Sequence, residues 1–256
     1  MNLKLRLLAP ALIAAALFVP AVAPAQTFST DQRGEVEKII REYLLAHPEL
    51  LQEALGELEK RQNAADLEKA RSAVREHAAM IYSSPRQITI GNPQGDVTVV
   101  EFFDYNCGFC KKAMSDMTDL IKADPKLKFV LKEFPVLGEG STQAAQVAVA
   151  VRMQDKTGGK KYLEFHQKLL GGRGAADKTR ALAVAKEVGM NMTQIERDMA
   201  SPEVKATLEE SRVLAEALGL NGTPSYIVGP DVVVGAVGLP MLAERVNFAR
   251  CGKPAC

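Results

Sequence analysis

The first regular signal is an apolar run from Leu7 through Val19, preceded by Lys4 and Arg6 and followed by Ala23-Pro24-Ala25. A positive start, a short apolar stretch and an A-x-A site predict a signal peptide over 1–25, cleaved after Ala25. The run is too short for a spanning helix. From Gln26 to about residue 82 the pattern becomes helical and charged. Val36, Ile39, Ile40, Tyr43 and Leu44 form one amphipathic stretch, His47-Pro48 interrupts it, and Leu51, Ala54, Leu55 and Leu58 form another. Pro48 suits the first turn of that second helix. From Glu59 to His77 the apolar positions thin to Leu67, Ala70 and Val74. So narrow a stripe predicts an oligomerisation helix or a solvated spacer, with an ordinary packed helix pair as the alternative.

Ser83-Ser84-Pro85 breaks the pattern and opens a second region, 83–256. Val97 to Asp104 is a β-branched and aromatic run that predicts a buried strand. In the segment Lys111–Ile121, Met114, Met117 and Ile121 fall at helical spacing, and Lys126 to Phe134 reads as a second core strand. Residues 141–219 are then almost wholly helical, in stretches that end at Gly158-Gly159, Gly171-Gly172, Gly189 and Gly219. Strand character returns at Ser225-Tyr226-Ile227-Val228, turns at Gly229-Pro230-Asp231 and continues through Val232-Val233-Val234, before a last helix from about Pro240 to Arg250. The order βα-β, helical block, ββα predicts an α/β thioredoxin-like sheet with a helical insertion at about 141–219, preceded by the N-terminal helical region 26–82.

Cys107-Gly108-Phe109-Cys110 stands between the first strand and the helix after it. That places the first sulfur at a helix N-terminus, where free backbone N–H groups and the macrodipole favour thiolate over thiol. Cys107 is therefore the expected nucleophile, reachable from solvent. Cys110, one turn deeper, would attack the mixed disulfide. Zinc would need four ligands, and His47, His77 and His166 are scattered. No metal site is assigned and no cofactor beyond the redox-active pair, although two thiolates could take a soft Cu(I) ion. A cysteine hydrolase would need a placed histidine base, and none stands near a strand end. Glu101, within the apolar strand, is a candidate buried carboxylate able to accept the Cys110 proton. Cys251 and Cys256 are expected to close a small structural disulfide in the tail.

Charge and length narrow the partners. Removal of Lys4 and Arg6 takes the 32 basic residues to 30, against 31 acidic. Nothing here suggests nucleic acid or anionic lipid. The 231 residues from Gln26 can bury a core without disulfides, so Cys-x-x-Cys is better placed for chemistry than for stability. An exported chain meets an oxidising compartment.

Glu101-Phe102-Phe103-Asp104-Tyr105-Asn106-Cys107-Gly108-Phe109-Cys110, Lys132-Glu133-Phe134-Pro135 and Gly222-Thr223-Pro224 together resemble the DsbA-like branch of the thioredoxin superfamily, over roughly residues 86–250. The segment Ile39–Glu49 is similar to the N-terminal part of the copper-tolerance suppressor proteins called ScsC, some of them trimeric isomerases. The resemblance implies a cis-proline at Pro224 facing the cysteines, with Thr223 before it offering backbone groups to an extended substrate segment. Gly108 and Phe109 would also meet substrate. Gly108-Phe109 lacks the histidine that DsbA carries between its cysteines and is closer to the Gly-Tyr of DsbC-type isomerases. The resemblance thus implies a periplasmic disulfide isomerase acting on misoxidised exported proteins. A membrane-bound thiol reductase would keep it reduced, and it would form a dimer or trimer through 26–82. The alternatives are a monomeric DsbA-like dithiol oxidase and a Cu(I)-binding protein.

Overall fold

The computed structural model describes residues 28–256, so the expected signal peptide lies outside the described residues. The chain divides into two compact units between Leu58 and Glu59.

In the first unit, α1 (Thr30–Ala46) starts at Ser29, whose hydroxyl accepts from the Gln32 N–H while the Gln32 side chain accepts from the Ser29 N–H. This reciprocal cap satisfies two donors that a helix start leaves free. His47-Pro48 ends α1, and α2 (Glu49–Glu76) begins. No residue of α1 is buried, and Val36, Ile39, Ile40, Tyr43, Leu51, Leu55 and Leu58 are exposed.

The second unit begins earlier than the break at Ser83 predicts. Val74, near the end of α2, and Ile81, in α3 (Ala78–Tyr82), are buried in a cluster with Val100, Phe102, Val130, Leu214 and Ile227. Residues 59–69 are exposed, as a spacer would be, whereas from Ala70 to Tyr82 the sparse stripe packs because Val74 and Ile81 fit one sheet face. Each such burial contributes about 1.5–3 kcal/mol.

The sheet has the order β1-β3-β2-β4-β5. Its strands are β1 (Ile88–Gly91), β2 (Val97–Phe103), β3 (Leu127–Glu133), β4 (Ser225–Val228) and β5 (Asp231–Val234), with only β2 and β3 parallel. Between β2 and β3 runs α4 (Gly108–Ala123); between β3 and β4 lie α5 (Glu139–Gln154), α6 (Lys160–Gly171), α7 (Lys178–Glu187), α8 (Met192–Met199) and α9 (Pro202–Ala217). The chain closes with α10 (Leu239–Cys251). Central β2 is covered on both faces, which explains its unbroken apolar reading. Val97, Val99 and Phe103 belong to the core of α4, α6 and α10; Val100 and Phe102 belong to the core of α3 and α9. Gly159, at φ 91°, opens α6 so close to β1 that a Cβ would stand 2.6 Å from the Thr89 carbonyl oxygen. Only glycine allows that approach.

Candidate functional site

Cys107 is the N-cap of α4, in extended conformation, with its N–H bonded to the Asp104 carbonyl and its own carbonyl accepting from Lys111 N–H. Both cysteines are free thiols. Phe109 turns outward at 68 % exposure, whereas Cys110 points inward at 0 %. An added Cβ at Gly108 would meet nothing within 4 Å, so the Gly-Phe pair faces open space. Cys107 is more covered than a helix N-terminus alone predicts, at 7 % exposure. It is reached through a cleft of about 500 Å³ shared with Tyr105, Lys111, Leu169, Gly172 and Arg173.

The cover comes from the loop before β4. The Thr223-Pro224 peptide is cis. The Cys107 thiol donates to the Thr223 carbonyl oxygen at 3.1 Å, and the Pro224 carbonyl accepts from Gly235 N–H at 2.8 Å. Cys107, Cys110, Thr223 and Pro224 therefore meet in one place from opposite halves of the chain. The thiol itself thus occupies the carbonyl of Thr223.

Glu101 lies beneath. Strand alternation turns it with Val99 and Phe103 toward α4, at 3 % exposure. Burial first, then the charge of Asp116, raises its pKa to about 8. The carboxyl thus passes between acid and carboxylate in the range where thiol exchange runs. Burial likewise pushes the Cys110 thiol up, and the nearby charges of Glu101 and Cys107 add to the effect. Cys110 does not ionise unaided; it needs a partner to take the proton.

Two polar networks brace this loop, and neither is visible as a local motif. Asp104 accepts from Asn106 N–H and the Ser141 hydroxyl at 2.7 Å, and from Val136 and Leu137 N–H at 2.8 and 2.9 Å. Asn106 in turn donates to Ser141 and to the Ala176 carbonyl, and accepts from Ala176 N–H. The loop before Cys107 is so tied to the helical insertion at both ends. In the second network, Tyr162 donates to Glu133 at 2.5 Å, and the Tyr105 and Tyr162 hydroxyls stand 3.5 Å apart. His166 Nδ1 lies 3.4 Å from the Tyr105 hydroxyl. Burial lowers the His166 pKa to about 3, so this histidine is neutral. The only sequence signal for either network is the density of Asp, Asn and Tyr just before Cys107.

Cys251 and Cys256 are bonded to each other across the exposed end of α10. Among the described residues no group of three or more His, Cys, Asp or Glu is placed to hold a metal ion, and no helix is long and apolar enough to cross a membrane.

Comparison with known proteins agrees with this geometry. Residues 98–247 match the model of the DSBA-like thioredoxin domain, and residues 32–65 match the copper resistance protein ScsC N-terminal domain. The crystal structure of a thioredoxin-like oxidoreductase from Silicibacter pomeroyi DSS-3 is 45 % identical, covers 67 % of this chain and 96 % of its own, and superposes with a TM-score of 0.64. Proteus mirabilis ScsC in a transitional conformation is 25 % identical over 88 % of this chain and 100 % of its own, also with a TM-score of 0.64. The thiol:disulfide interchange protein DsbL of Lelliottia amnigena is 25 % identical over 176 residues, covering 62 % of this chain and 79 % of that protein.

Proposed function

This chain belongs to the DSBA-like thioredoxin domain family, whose chemistry is thiol–disulfide interchange, and from that premise we propose that it is a periplasmic disulfide isomerase working as a homo-oligomer. Cys107 attacks a wrongly paired disulfide in an exported protein, forming a mixed disulfide and releasing one substrate thiolate. That thiolate, or another in the substrate, attacks back and forms the native pair. Where rearrangement stalls, Cys110 gives its proton to Glu101, displaces the substrate from Cys107 and leaves the Cys107–Cys110 disulfide. A membrane-bound thiol reductase returns this pair to the dithiol. Thr223 and Pro224 hold the substrate segment as an added strand once the Cys107 thiol releases the Thr223 carbonyl.

One observation carries the oligomer. Val36, Ile39, Ile40 and Tyr43 stand at i, i+3, i+4 and i+7 on a helix in which nothing is buried, and Leu51, Leu55 and Leu58 continue the spacing on α2. An exposed apolar stripe of this kind supports an interface between copies of the chain.

The test is recovery of active ribonuclease from its scrambled, oxidised form, comparing the protein with the double variant Ile39→Asp, Leu55→Asp. We expect the parent to be oligomeric by light scattering and to restore activity. The variant should be monomeric and fail, while still exchanging with a small disulfide. A parent that leaves scrambled ribonuclease inactive sinks the isomerase and leaves a dithiol oxidase.

A further inference from the structure

Tyr226 stands opposite Glu101 in the β2–β4 register and is 1 % exposed. Its hydroxyl has no hydrogen-bond partner among the described residues. Burying a hydroxyl unpaired is unfavourable, and phenylalanine would fill the same space without that penalty. An aromatic residue is explained by the core; its oxygen is not.

The surroundings supply a reason. On β5 the cross-strand neighbour is Val233, and α10 turns Leu242 and Val246 inward, all apolar. The ionisable groups that act on the hydroxyl are Glu101 from β2 and Cys110, Asp116 and Cys107 from α4 and its N-cap. Of these, Glu101 and Cys110 are the two whose protonation changes as the exchange proceeds. A donor with nothing to bond while Cys110 and Glu101 are both protonated faces an acceptor once that pair has lost a proton.

We propose that Tyr226 is a positioning residue for the resolving step, its hydroxyl donating to the negative charge that Cys110 and Glu101 pass between them while the mixed disulfide is broken. This rests on the reading of Glu101 as proton acceptor. With Cys107 bonded to a substrate sulfur, the Cys110 thiol gives its proton to the Glu101 carboxylate. The Cys110 sulfur then bonds to that of Cys107 as the Cys107–substrate bond breaks. The substrate sulfur leaves with the electron pair and takes a proton from water. The substrate disulfide has been reduced and the enzyme dithiol oxidised, with two electrons transferred. Glu101 returns its proton to solvent past Asp116, the half-buried carboxylate whose charge acts on it.

The sign of the effect is set by the acceptor. Glu101 must be ionised to accept, and a donor to its carboxylate lowers the pH at which that happens. Removing the hydroxyl therefore moves the requirement to higher pH.

The experiment mixes the reduced full-length protein with dithiobis(nitrobenzoate). The first coloured release reports attack by Cys107, the second its displacement by Cys110. For the parent, the rate of the second release should rise with pH to a plateau beyond about 8. In Tyr226→Phe that rise should move up by about one pH unit, a roughly tenfold slower second release below the midpoint. Its first release should be unchanged and its thermal midpoint equal or higher, because an unpaired polar group has been removed. Coincident pH profiles for parent and Tyr226→Phe overturn the proposal, as does a variant of lower stability in which both releases slow together. Glu101→Gln separates the two readings. If it flattens the rise while Tyr226→Phe does not move it, Glu101 stands and Tyr226 falls; if the rise survives Glu101→Gln, both fall.

Discussion

The molecule holds two cysteine pairs, each beginning at the end of a helix, and the ends differ. Cys107 caps the N-terminus of α4, where the helix dipole favours an anion; Cys251 closes the C-terminus of α10, where it favours a cation. Around the first pair the protein arranges a buried carboxyl, a covering carbonyl and a loop held by Asp104 and Asn106. The second pair is exposed, already bonded, and touched by little beyond the Asn247 carbonyl near Cys256. Spacing separates them less than setting does. Exchange needs a sulfur that can carry charge and a second one that is kept protonated until wanted; the tail offers neither.

The largest test of that contrast is Cys107→Ser, which should reduce disulfide exchange to the uncatalysed level, since the nucleophile is gone. Cys251→Ser with Cys256→Ser should leave the exchange rate as it was; a drop comparable to that of Cys107→Ser would erase the distinction between the pairs.

A smaller effect sharpens it through stability. Glu101 has a folded pKa of about 8 against an ordinary value of 4.5. Between these values the folded state binds more protons than the unfolded, so this carboxyl costs stability increasingly as pH rises from 4.5 and fully above 8. In Glu101→Gln the penalty is absent. Denaturant titrations should show the variant gaining on the parent by roughly 3 kcal/mol between the acid end of that window and pH 7. A difference that stays constant with pH would mean the carboxyl is not held in its neutral form. The smallest effect belongs to the tail: opening the Cys251–Cys256 loop should lower stability by no more than about 2 kcal/mol, because so short a loop restricts the unfolded chain little.

How much of the molecule is legible in the sequence depends on how far each signal reaches along the chain. β2 and α4 announce themselves because strand, cysteines and helix are contiguous, and Glu101 stands out as the one charge in an apolar run. β1 does not, since four residues ending at Gly91 are too few to display a period. The tail of α2 reads as a spacer because its few apolar positions gain meaning only from the sheet face that receives Val74. The clamp of Asp104 and Asn106 joins loop residues to Ser141 and Ala176, far along the chain, and such bonds leave no local pattern. The unpaired oxygen of Tyr226 is invisible for the same reason: in sequence it is one more aromatic residue in a strand.

The connection between β3 and β4 has a consequence for the newborn chain. β2 meets β3 after one helix, but its other neighbour, β4, must wait for the whole helical insertion, so that Phe102 pairs with Ser225 only late in synthesis. Long closures of this kind are slow, and chains made from the N-terminus expose early segments before late ones exist. In that interval Cys107 has neither its covering carbonyl nor its completed sheet, and behaves as any thiol of an unfolded polypeptide. Each molecule thus exposes its own cysteine to exchange before it can catalyse exchange in others.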